Sequence, residues 1–128
     1  MTNKVFVAGV GMIQFKKPGM SEPYDVMGEQ AIRAALADVK AQAVAVRTLI
    51  DYYLGEHMRR RLTLEEAAIA KLFATETLWK CIDDMVQLHG GYGYMLEYPI
   101  ARAFTDYRIT RVFGGTSEVQ RDLISRKL

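Results

Sequence analysis

Gln87-Leu88-His89-Gly90-Gly91-Tyr92-Gly93-Tyr94-Met95 is the stretch whose reading decides the fold. Its first residues close an amphipathic run, and two adjacent glycines interrupt it. Glycine takes up the positive φ that ends a helix at little steric cost, so a helix terminus is expected at Gly90–Gly91. Reading backward, Leu64, Ala68, Leu72, Thr75, Trp79, Ile82 and Val86 recur at spacings of three or four, the stripe of a helix with one side against a partner. Thr63-Leu64-Glu65-Glu66 stands at the start of that run. It has the form of a capping box: the Thr63 hydroxyl accepts from the Glu66 amide, and the Glu66 carboxylate reaches back to the Thr63 amide.

Downstream, a helix is expected from near Pro99 through Ile109. Gly114-Gly115 breaks the chain again, and Thr116 or Ser117 caps a final helix to Lys127. Upstream, the polar and basic Gly55 to Leu62 reads as a connector. From Tyr24 to Leu54 the helical pattern is continuous apart from Gly28, with Met27, Ala31, Ala34, Ala35, Val39, Val46, Leu49, Ile50 and Tyr53 as its apolar face. This predicts one long helix, or two joined near Lys40, with Ser21 as cap and Pro23 and Asp25 in the first turn. Lys4 to Gly11 reads as a short strand ending in glycines, followed by a loop through Lys16, Lys17, Pro18 and Gly19. The nearest candidate for a second strand, Thr110 to Phe113, is unconvincing. The expected fold class is therefore all-α, a helical bundle with one short N-terminal strand.

Composition excludes several functions. The chain has 128 residues, half of them hydrophobic and a quarter charged, which is the composition of one ordinary globular domain. The net charge is +2, and the only basic cluster, Arg59-Arg60-Arg61, reads as a solvated helix end. Neither a basic stripe nor a reading motif for nucleic acid is present. One cysteine, Cys81, permits no intrachain disulfide and no cysteine-based zinc cluster, and two distant histidines, His57 and His89, make no metal site. A reducing, cytoplasmic compartment is expected. The apolar stretch Val5 to Ile13 is too short to span a bilayer and lacks a small-residue cleavage site. The final Arg126-Lys127-Leu128 differs from the Ser-Lys-Leu peroxisomal address. Gly9-Val10-Gly11 follows a strand, but Gln14 stands where a dinucleotide fingerprint needs its third glycine, and a loop follows where that motif needs a helix.

The motif around Gly90–Gly91 extends far in both directions. It continues as Glu97-Tyr98-Pro99-Ile100-Ala101-Arg102-Ala103-Phe104, then Asp106, Arg108 and Ile109. Val112-Phe113-Gly114-Gly115-Thr116-Ser117-Glu118-Val119 and Leu123-Ile124-Ser125-Arg126 follow, with Ala67-Ala68-Ile69-Ala70-Lys71 and Ala74-Thr75-Glu76 upstream. Over about residues 42–128 this resembles the C-terminal helical domain of the flavin-dependent acyl-CoA dehydrogenases. The resemblance implies part of a four-helix bundle, a homo-oligomer built through that bundle, FAD as cofactor and acyl-CoA as substrate.

By the same resemblance, Gln87, Leu88, His89, Gly90 and Gly91 lie against the adenosine-diphosphate half of a flavin bound mainly by a neighbouring subunit. Thr116, Ser117 and Glu118 fall where the family contacts its own subunit's FAD. Gly114 and Gly115 match the turn at the acyl-CoA thioester, where a backbone amide donates to the carbonyl as negative charge develops. The physics suits these roles, because bare glycine backbone approaches a ligand closely and a helix N-terminus favours a pyrophosphate. The ordinary roles of the same residues are helix termination at Gly90–Gly91 and capping at Thr116.

The resemblance also implies an incomplete machine. Straight-chain members carry their proton-abstracting glutamate at the position of Gly114, and glycine is no base. Other members place it on an earlier helix with no counterpart in this sequence. Glu97 and Asp106 match structural positions and Glu118 a cofactor contact, so no catalytic residue is assigned and the chain alone is expected to be inactive. Residues 1–41 resemble another family, the start of thiolases of the sterol-carrier type, through Lys4 to Met12, Phe15, Ser21 to Met27 and the alanine-rich run to Asp38. No thiolase nucleophile accompanies them, and Cys81 reads as a packing residue. The expected division is thus 1–41 and 42–128, joined in helical phase near Val39 to Gln42. The competing expectation is a non-catalytic helical protein that self-associates through its bare apolar faces.

Overall fold

The computed structural model describes residues 23–126 and Leu128. The expected strand at Lys4–Gly11, its loop and the Ser21 cap lie outside the described residues, as does Lys127. Within them the chain is four α-helices: α1 Tyr24–Met58, α2 Leu64–His89, α3 Pro99–Arg108 and α4 Ser117–Ser125. Two short 3-10 segments, Gly90–Tyr94 and Ile109–Arg111, link the last three. The all-helical expectation holds.

Of the two alternatives for the first helix, the unbroken one is found. α1 passes through Lys40 and beyond the expected connector start at Gly55, ending at Met58. Its last turn is closed by the arginine cluster. Arg59 and Arg61 both bond the Glu56 carboxylate, and Arg60 takes φ 58°, reversing the chain into α2. α1 and α2 then pack as a hairpin. The inward seam of α1 runs through Gly28, Ala31, Ala35, Val39, Gln42, Val46, Leu49 and Tyr53, a spacing of three or four that keeps one stripe on α2. Ala34 and Ile50, expected on this face, are exposed.

α2 is the organising element because α1, α3 and α4 all pack on it. The Thr63–Glu66 capping box forms as its spacing predicts, with both reciprocal bonds present. Ala68 and Ile82 are its most buried side chains, whereas Leu64, at the head of the expected stripe, is exposed. Trp79 secures the α2–α3 contact: its ring lies 4.8 Å from that of Phe104, with the guanidinium of Arg108 5.6 Å from its centroid. α3 opens on Pro99, where a missing amide costs nothing, and ends one residue before expected. Thr110 to Phe113 forms a 3-10 segment and turn rather than a strand.

Candidate functional site

Two glycine turns were expected to carry the chemistry, and both are built to keep backbone bare. At the end of α2, Gly90 takes φ 56° and ψ −138°, a conformation close to glycine-only and not the left-handed cap expected. The chain then continues as a 3-10 segment. A Cβ placed at Gly90 or Gly91 would meet nothing within 4 Å, so this backbone faces open space. Gly93 is the reverse: a Cβ there would stand 2.5 Å from the Val86 carbonyl oxygen, which lets the segment lie directly on α2. His89 bonds the Met85 carbonyl through Nδ1 at 2.8 Å, fixing its ring beside Gly90, and Gln87 is exposed.

The second turn is held from within. Gly114 and Gly115 take φ 66° and 92°. Gln120, 5% exposed, donates Nε2 to Gly114 O at 3.0 Å and to Gly115 O at 3.3 Å. Lys71 reaches across from α2 and donates Nζ to Gly115 O at 2.8 Å. The outer side of Gly114 is open, whereas a Cβ on Gly115 would strike Gln120 Nε2 at 2.5 Å. Thr116 is the N-cap of α4, accepting from the Val119 amide, and Ser117 becomes the first helical residue.

Ser117 is only 2% exposed, and its hydroxyl donates to Glu76 Oε1 on α2. Arg111 bonds the same oxygen at 2.9 Å. Burial raises the Glu76 carboxyl, but the bonds from Ser117 and Arg111 and the charges of Arg111 and Arg121 outweigh it and hold the group below its ordinary range. Glu118 is exposed and also lowered, by its own backbone amide and the Thr116 hydroxyl. The Cys81 thiol is half-buried, pushed up by burial, and lies 3.4 Å from Gln42 Oε1 on α1. It is a packing residue by environment.

The structure therefore brings Gly114, Gly115, Thr116, Ser117 and Glu118 together at one place on α2, near Glu76. Gln87 to Gly91 lie at the far end of the same helix. From Glu76 to His89 is about 20 Å at the rise of an α-helix, so the two sets do not form one cluster. Lys71, Glu76, Arg111 and Gln120, which shape the second turn, were not singled out from sequence. The available signal was four polar residues within elements that otherwise pack apolar stripes. A groove of about 450 Å³ lies between the 3-10 segment and α3, lined by Gly93, Tyr94, Leu96, Phe104 and Arg108 among others. Neither glycine pair lines it. No helix of the described residues is long and apolar enough to cross a membrane.

Residues 24–128 match the family model "Acyl-CoA dehydrogenase, C-terminal domain", starting inside the segment separated above as 1–41. The long-chain specific acyl-CoA dehydrogenase of Sus scrofa mitochondria is 41% identical over 99 residues, covering 77% of this chain and 23% of the relative. An acyl-CoA dehydrogenase of Bacillus subtilis is 37% identical over 116 residues, covering 91% and 29%. Butyryl-CoA dehydrogenase from Megasphaera elsdenii superposes with a TM-score of 0.74 at 33% identity, over 94% of this chain and 30% of that one. The chain thus spans less than a third of the length of these relatives. With the family model matched over residues 24–128 and 37–41% identity to the first two of these relatives over most of its length, the chain belongs to the acyl-CoA dehydrogenase family and carries that family's C-terminal domain.

Proposed function

We propose that this chain serves FAD-dependent α,β-desaturation of acyl-CoA thioesters, supplying the helical face that receives part of the flavin and the thioester carbonyl. The observation that supports it is the pair of glycine turns whose outer sides are bare. Gly90 and Gly91 have open space where side chains would be, and Gly114 likewise. Residues of this kind fit a nucleotide cofactor, which needs close backbone approach more than it needs side chains. On this reading Gln87, Leu88, His89, Gly90 and Gly91 hold the adenosine-diphosphate portion of one FAD, and Thr116, Ser117 and Glu118 contact another. The separation of about 20 Å along α2 suits two cofactor contacts better than one. Bound flavin supplies the hydride acceptor. The residues of the Gly114–Gly115 turn orient the thioester and offer backbone N–H to its carbonyl, polarising it for loss of the α-proton.

No base is assigned. Glu97, Asp106 and Glu118 are all exposed, and Glu118 is lowered, the opposite of the raised value that suits proton abstraction near neutrality. The chain alone is therefore expected to turn over no acyl-CoA. The division into 1–41 and 42–128 belongs to this reading, as does a reducing, cytoplasmic setting, which the single cysteine supports. A flavin titration tests it. Saturable quenching of FAD fluorescence is expected, weakened at least about tenfold by Gly91→Val with little change in melting temperature, since a Cβ at that position meets nothing within 4 Å in the protein. Absence of saturable quenching rejects the cofactor role.

The second reading, a non-catalytic self-associating helical protein, has its own support in the exposed apolar side chains of α1. Val44, Leu54 and Met58 are 59%, 55% and 76% exposed. A stable, colourless oligomer indifferent to FAD would favour it.

A further inference from the structure

The groove between the Gly90–Tyr94 segment and α3 joins a fixed apolar trough to a cation without a counter-charge. Ala101, Phe104, Thr105 and Arg108 line one side of it, at the i, i+3, i+4, i+7 spacing of a single helix face. Tyr94 and Leu96 line the other, and both are exposed. Arg102 holds that second wall in place: its Nη1 donates to Leu96 O at 2.6 Å and to Glu97 O at 3.2 Å. The Thr105 hydroxyl donates to the Ala101 carbonyl, so the trough between the walls is chiefly Tyr94, Leu96, Ala101 and Phe104. Arg108 closes the C-terminal end of the stripe. Its guanidinium lies 5.6 Å from the Trp79 ring centroid and forms no ion pair among the described residues. Arg111, 6.0 Å from the same ring, differs in being bound to Glu76.

We propose that this groove binds a free medium-chain alkyl carboxylate, with the carboxylate on Arg108 and the alkyl chain along Phe104, Ala101, Leu96 and Tyr94. Charge and length both match. A guanidinium takes a carboxylate by two parallel charge-assisted bonds, and Arg108 has no protein carboxylate to compete for them. From Ala101 to Arg108 is about 10 Å along the helix, the reach of a chain of medium length. The volume of about 450 Å³ is of the size that holds a small organic ligand. An alkyl chain laid there removes the exposed Leu96 and Tyr94 from water, whereas the hydroxyls of a sugar or nucleotide would lie unmatched against them. Neither glycine pair lines the groove, so this site is separate from the flavin and thioester contacts.

Trp79 is the chain's only tryptophan and lies beside Arg108, so its emission reports on the site directly. Titration of the full chain with octanoate is expected to change that emission saturably, at one ligand per chain. Calorimetry gives the same affinity without depending on the indole. Octanol, which has the chain without the charge, and acetate, which has the charge without the chain, are each expected to bind at least about tenfold more weakly. Arg108→Gln weakens octanoate at least about tenfold, and Arg108→Lys restores part of the loss, since a lysine offers the charge without the paired geometry. Leu96→Ser alters an already exposed side chain, leaves helical circular dichroism unchanged and weakens octanoate at least about threefold. Arg33→Gln, at an exposed arginine of α1, is the control and changes binding by less than about twofold. No saturable signal, or octanol bound as well as octanoate, overturns the proposal. Octanoate bound equally by wild type, Arg108→Gln and Leu96→Ser overturns it as well. Tighter binding of N-acetyl-leucyl-leucine than of octanoate would replace the alkyl carboxylate with a peptide C-terminus.

Discussion

The Glu76 carboxylate receives Ser117 from α4 and Arg111 from the segment before the turn, and so ties down both flanks of Gly114–Gly115. Its folded-state pKa lies below the ordinary 4.5 despite partial burial, because those bonds favour the charged form. A depressed folded value contributes stability that is present above 4.5 and lost as the pH falls through the folded value. Wild type is therefore expected to lose melting temperature more steeply than Glu76→Gln in titrations from pH 6 down to about 3. At pH 7 the same substitution costs on the order of 1–3 kcal/mol, since the Arg111 charge loses its partner. Parallel pH profiles for the two proteins would show that the pair contributes no net stability. This network was not legible in the sequence. Glu76 stands in a recognisable run, but its partners are 35 and 41 residues away, and no local spacing links them. The Thr116 cap was legible because its partner is three residues on.

At the scale of elements, signals of period and capping carried most of the reading. The capping box at Thr63, the proline at the head of α3 and the glycine stop of α2 each act within one helical turn, so each shows in a few adjacent letters. What escaped were the two 3-10 segments, which are too short to display a hydrophobic period, and the sidedness of α2, which is packed on by three helices instead of one. Leu64, the first residue of α2, is exposed although it heads the stripe. The Gly90–Tyr94 segment gives a sharp test, because three glycines of one motif have different demands. Gly93→Ala sets a Cβ 2.5 Å from a backbone carbonyl that cannot rotate away, and is expected to cost about 2 kcal/mol or more as the segment lifts from α2. Gly91→Ala meets open space, and its expected cost is below about 0.5 kcal/mol. Thermal or denaturant unfolding of the two variants checks the contrast. Equal losses would mean that the segment does not lie on α2 as described.

At the scale of the whole molecule, the deeply buried side chains among the described residues are few and mostly small. Ala31, Ala35, Ala68, Ile82 and Ala101 form the buried apolar set among the described residues. Large apolar groups remain at the surface, with Tyr94 80%, Leu64 69% and Leu96 65% exposed in addition to the outer face of α1. A monomer of 14.5 kDa seldom tolerates so many, because contiguous apolar surface gains roughly 25 cal/mol per Å² when covered. The chain is accordingly expected to sediment as an oligomer. Val44, Leu54 and Met58 make a clean test of the α1 face, since each already contacts solvent and none packs into the hairpin seam. The triple variant Val44→Lys, Leu54→Lys, Met58→Glu is expected to shift sedimentation toward the monomer mass while helical circular dichroism stays unchanged. Loss of helicity would show instead that these side chains support the fold. An unshifted oligomer would move the contact to the surface around Leu64 or Leu96, where Leu64→Glu and Leu96→Glu distinguish the ends of α2.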